Sequence, residues 1–135
     1  MDVRTNLDKA GRSELHYAVV DRNLERVRDL VRQGMSVNLA DGNGWTPLHF
    51  AAQNSDAVVA RFLLDSGAWV DPRDANGNTP LSTAVFNSRG HGEVIGLLRQ
   101  RGADPTSVNQ SGTSPVTLAR TIANYDVARF FDDLP

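Results

Sequence analysis

The sequence predicts an all-α solenoid, a stack of helix-turn-helix units with short β-turn or hairpin tips. Three observations predict it. The chain repeats at a period of about 33 residues, every repeat carries a helix-start signal, and the apolar stripes within one repeat are too narrow to be buried without a neighbour. The period shows in "DKAGRSELHYAV" from Asp8, "DGNGWTPLHFAA" from Asp41, "DANGNTPLSTAV" from Asp74 and, 35 residues further on, "NQSGTSPVTLAR" from Asn109. Related closing phrases follow: "LVRQGMSVN", "LLDSGAWVD" and "LLRQRGADP". The expected units are 8–40, 41–73, 74–108 and a shortened 109–135, with residues 1–7 as an N-terminal cap, all in a single domain of 135 residues.

The elements follow in order within each unit. Asn43-Gly44 and Asn76-Gly77 are turn dipeptides, because both residue types tolerate the positive φ that such tips require. Thr46, Thr79 and Ser114 can cap the first helix with a hydroxyl, and the proline after each suits the first helical position. Leu48, Ala51 and Ala52 form its stripe, with alanines small enough for close helix approach. Val59, Phe62 and Leu63 form the stripe of the second helix, repeated at Val94, Leu97 and Leu98 and again at Val127, Phe130 and Phe131. Gly34, Gly67 and Gly102 end that helix where the chain turns left-handed. The third unit is two residues longer than its neighbours, which predicts an enlarged inter-helix loop over Ser88 to Gly92. The polar Glu14 and Arg26 suit the wetted outer side of a terminal unit, and "YDVARFFDDLP" suits a last helix packed inward through Phe130 and Phe131.

Thr46, Pro47, Leu48, His49 and Ala51 match the Thr-Pro-Leu-His-x-Ala pattern of the ankyrin repeat, which the chain resembles over nearly its whole length. The match is partial at Ser13 to Ala18, Thr79 to Ala84 and Ser114 to Ala119. The resemblance implies a structural histidine at His16 and His49, tying down backbone in the turn, with Ser82 and Thr117 making shorter polar bonds in its place. It implies that the inter-helix glycine of an ordinary unit is replaced by Arg22 and Ser55. It also implies a protein partner held on a concave face of turn tips and first helices. Residues of this chain at those places are Arg12, Asp21, Trp45, Gln53, Asn54, Asn76, Asn78, Phe86 and Thr113. Trp45 is expected either to anchor the partner with an exposed indole or to cover a neighbouring turn. Small bacterial proteins similar to this one include immunity proteins that cover a toxin. An intracellular scaffold or regulatory subunit that holds its partner without inhibiting it is the alternative.

Composition narrows the classes. Net charge is −2, and the four units carry about +1, −2, 0 and −1 including the N-terminal residues, so no segment has the basic footprint of a nucleic-acid binder. The run "RNLERVRDLVRQ" mixes Glu25 and Asp29 among its arginines, as a solvated helix face does. With no cysteine, thiolate nucleophiles and cysteine-based zinc sites are excluded. No apolar run reaches a membrane span and the N-terminus lacks the apolar core of a secretory signal, so a cytoplasmic protein, monomeric when free, is expected. His16 and His49 recur with the fold period, which a catalytic residue has no reason to do. His91 falls outside that register, without a second ligand at metal spacing. "NSRGHG" lacks the Gly-Lys-Ser/Thr ending of a phosphate loop. Asp41, Asp71 and Asp74 sit around turns, and Asp132-Asp133 in the tail. No acid and base pair emerges, so neither an enzyme nor a cofactor or metal is expected.

Overall fold

In the computed structural model, residues 7–135 are described, so the expected cap over residues 1–7 falls outside it apart from Leu7. Seven α-helices follow in order: α1 (Glu14–Val20), α2 (Leu24–Arg32), α3 (Pro47–Gln53), α4 (Ala57–Asp65), α5 (Pro80–Asn87), α6 (Glu93–Gln100) and α7 (Pro115–Thr121). Thr46, Thr79 and Ser114 cap the first helices as the sequence marks, and Ser13 takes the same place in the first unit. Ser13, Thr79 and Ser114 accept the amide of the third helical residue through their hydroxyls, and Thr46 forms a capping box with His49. In α2 and α4, Asn23 and Asp56 do the same through side-chain oxygens.

The helices form two layers. α3 lies between α1 and α5, α5 packs on α7, and the outer row α2, α4 and α6 stacks behind them. Leu15, Leu48 and Leu81, from α1, α3 and α5, are fully buried, as are Leu30, Leu63 and Leu98 from α2, α4 and α6. These leucines close a continuous core from repeats that could not be stable singly. Gly34, Gly67 and Gly102 adopt φ of 95°, 99° and 92°, and the amide just beyond each bonds back to the buried leucine's carbonyl. The wetted end is present too: Arg26 pairs with Glu14 on the outer side of the first unit.

The tips are tight turns, and among the described residues none carries a strand. An Asp or Asn side chain closes each of them. Asp41 Oδ1 accepts the amides of Asn43 at 2.8 Å and Trp45 at 2.9 Å. Asp8, Asp74 and Asn109 make the same pair of bonds in their own units. Tips stack directly: a Cβ on Gly44 would stand 2.9 Å from the Asp74 backbone.

Two expectations are corrected or sharpened at the far end. After α7 the chain becomes extended at Ile122, and the predicted last helix is a single 3-10 turn, Ala128–Phe131. Asn124 and Asp126 favour turns, and four residues are too few to nucleate an α-helix. Phe131 is nonetheless buried and Phe130 packs beside it. The enlarged loop lies between α5 and α6 as expected. It leans on the last unit: Arg129 donates to the Gly90 carbonyl at 3.1 Å, and the Phe130 ring fills the space that a Cβ on Gly92 would need.

Candidate functional site

The inner face is built by bonds that repeat from unit to unit. His16 Nδ1 accepts the Ser13 amide at 3.0 Å while its Nε2 donates to the Trp45 carbonyl, also at 3.0 Å. His49 repeats this with the Thr46 amide at 3.1 Å and the Asn78 carbonyl at 3.0 Å. Each imidazole thus caps its own helix and ties down the next turn. Burial pushes both histidines below their ordinary pKa and holds them neutral, in the tautomer with the proton on Nε2.

A second set of ties runs parallel to the first. The residue just before each helix cap reaches the acid or amide that closes the following turn. Arg12 Nε lies 3.3 Å from Asp41 Oδ2, Trp45 Nε1 donates to Asp74 Oδ2 at 3.0 Å, and Asn109 Nδ2 donates to Asn78 Oδ1 at 2.9 Å. The bond to Asp41 raises the Arg12 guanidinium above its ordinary pKa and favours its charged form. Three residues nominated as free for a partner therefore spend part of their bonding on the frame. The sequence signal was available in the register of Asp41, Asp74 and Asn109, one turn beyond Arg12, Trp45 and Asn78.

The Trp45 indole is half-buried, between the two readings that the sequence leaves open. It stacks on His49 with ring centres 5.5 Å apart and meets the edge of Phe50 at 4.9 Å. The indole covers the neighbouring turn while one side remains on the surface, where it separates two grooves. One groove, about 510 Å³, is lined by Arg12, Gln53, Phe50 and Asn76 among others. The other, about 450 Å³, lies between the third and fourth units, with Gln53, Asn78, Phe86 and Thr113 on its walls.

The remaining nominated residues divide. Phe86 is 72% exposed on α5 and stands free at the groove rim. Gln53 and Asn76 are exposed and shared with the grooves. Asn54 instead uses Nδ2 to bond the carbonyls of Val19 and Val20, which satisfies the end of α1. Asp21 is exposed as the C-terminal cap of α1 and lines neither groove. His91 is exposed in the loop, and among the described residues no cluster of three or more His, Asp or Glu is arranged to hold a metal ion. No helix there is long and apolar enough to cross a membrane.

The repeat geometry agrees with comparison to known families, for a model of ankyrin repeats in three copies matches residues 15–109. The chain belongs to the ankyrin repeat family. Ankyrin repeats are generally protein-interaction modules and are typically non-enzymatic. No curated protein matches this ankyrin chain closely enough to count as a relative. The family match ends at the third repeat, and α7, with its Ser114 capping box, packs on α5 beyond the matched residues of this ankyrin protein.

Proposed function

We propose that this ankyrin protein binds a protein partner through its concave face, and that binding blocks the partner in the manner of an immunity protein. One observation carries the first part: Trp45, Gln53, Asn78, Phe86 and Thr113, contributed by three units, line one groove with an exposed aromatic at its rim. Exposed aromatics beside a recess make effective anchors, because they bury large area at little entropic cost. The ties from Arg12, Trp45 and Asn78 hold the face in place before binding, so little ordering cost is left to offset. A rigid cover suffices for blocking, and binding itself is the whole output. On the inner face, the histidines and turn acids are committed to the frame: His16 and His49 have both ring nitrogens bonded, and Asp41 and Asp74 close turns. A free, cytoplasmic monomer follows from this reading.

The experiment is capture of the partner on purified chain, followed by assay of the partner's own activity with and without the ankyrin protein. Inhibition that saturates at equimolar ratio supports blocking. Full activity in the complex establishes the scaffold reading instead, and a complex that survives Phe86→Ala unweakened removes the concave face from the account.

A further inference from the structure

The inner helices carry a histidine in the first two units and a serine, Ser82, at the same place in the third. The backbone around Ser82 keeps the register, since its amide bonds the Thr79 cap as the His16 amide bonds Ser13. What differs is the tie to the next turn. The Trp45 carbonyl accepts both the Asp41 amide at 2.8 Å and the His16 imidazole, and the Asn78 carbonyl accepts both the Asp74 amide at 2.9 Å and the His49 imidazole. The Thr113 carbonyl, next in the series, accepts the Asn109 amide at 2.9 Å, and among the described residues no side chain of α5 reaches it. Ser82 and Thr113 both face the groove of about 450 Å³. An acceptor that the fold twice pairs with an imidazole is thus left without that partner in a residue that lines the groove.

We propose that this slot between the third and fourth units receives the imidazole of a histidine on the partner protein, which completes the series begun by His16 and His49. The inference rests on the concave-face reading above. Geometry favours this occupant over other rings. An imidazole N–H can donate to the Thr113 carbonyl, whereas a phenyl ring would bury that acceptor without its second bond. Among the described residues lining the groove Asp74 is the sole charge, so a neutral or protonated imidazole enters without like-charge repulsion. Phe86 and Leu118 offer apolar surface to the ring, and the volume leaves room for the residues beside the histidine.

Free imidazole tests the slot on the wild-type protein without the partner. In amide correlation spectra at a pH where imidazole is neutral, titration is expected to shift Ser82, Thr83 and Thr113. 1-Methylimidazole, which keeps the ring but has no N–H, is expected to bind several-fold more weakly. Ser82→His places the ring covalently in the slot; it is expected to raise the melting midpoint and abolish the response. Shifts elsewhere on the surface, equal binding of the methylated ring, or an unchanged response in Ser82→His overturns the proposal, and if that variant does not fold the wild-type titration decides. With captured partner, Ser82→His should weaken binding about tenfold. Weakening by Phe86→Ala with none by Ser82→His removes the histidine slot and leaves the concave face; weakening by neither removes both.

Discussion

Replacing Trp45 probes whether its indole belongs to the frame. The N–H bond to the Asp74 carboxylate, at 3.0 Å and half-buried, is worth about 1–1.5 kcal/mol once solvent screening is allowed for. The stacked pair with His49 and the edge contact with Phe50 add about 0.5–1.5 kcal/mol each. Trp45→Ala should therefore cost about 2–4.5 kcal/mol, and Trp45→Phe, which keeps a ring but loses the donor, about 1–1.5 kcal/mol. Urea melts read by far-UV circular dichroism measure both without relying on the fluorescence of the replaced residue. A double-mutant cycle with Asp74→Asn should show coupling of about 0.5–1.5 kcal/mol for the hydrogen bond. Loss below about 0.5 kcal/mol for Trp45→Ala, or no coupling to Asp74, would refute the tie and return the indole to the surface.

Three further outcomes are expected. His16 and His49 have folded pKa values held below the ordinary 6.5, so the unfolded chain takes up protons first; their contribution is present in full above 6.5 and lost as pH falls from there through the folded values. Urea midpoints should drop from pH 7.5 to 5, and His49→Gln should flatten the drop. Arg89 sits at φ 51° and Ser55 at φ 52°, where glycine relieves about 1 kcal/mol; Arg89→Gly should stabilise by about that amount, while Ser55→Gly gains less because Ser55 Oγ donates to the Asn87 carbonyl at 3.2 Å. Asp71 Oδ1 is buried without a hydrogen-bond partner among the described residues, and burial raises the pKa of its carboxyl above 3.8. A raised folded pKa stabilises at low pH and is a cost once the group ionises. At neutral pH Asp71→Asn should raise stability slightly, because the amide oxygen can still accept the Asp104 amide and no charge is left to desolvate in a site still partly open to water. An unchanged or lowered urea midpoint would contradict it.

The repeating frame was legible because each signal is local. A cap hydroxyl, a proline, two narrow stripes and a glycine at φ near 95° are read within a dozen residues, and four copies in register confirm one another. The face was legible only in part. Phe86 stands exposed as its variable place suggests, but the same reasoning marked Trp45, Asn54 and Asn78 as free for a partner. Those three are held by groups 29 to 35 residues away: the Asp74 carboxylate, the Val19 and Val20 carbonyls, and the Asn109 amide. Freedom of side-chain choice at one repeat position does not tell which neighbour that side chain will reach. The last unit escaped for another reason. Val127, Phe130 and Phe131 have helical spacing, yet the chain bends first over residues 123–125 and only a 3-10 turn remains.

Binding by the concave face is tested most directly by comparing two exposed residues on opposite sides of the stack. Phe86, 72% exposed on α5, lines the inner groove, and Val58, 61% exposed on α4, lies on the outer row. Neither substitution to alanine removes buried packing, so affinity for the captured partner, measured by calorimetric titration, reports the interface itself. Phe86→Ala is expected to weaken binding by about 2 kcal/mol or more, near thirtyfold, with Val58→Ala unchanged. Full affinity in Phe86→Ala with loss in Val58→Ala would place the partner on the outer helices and contradict the concave site.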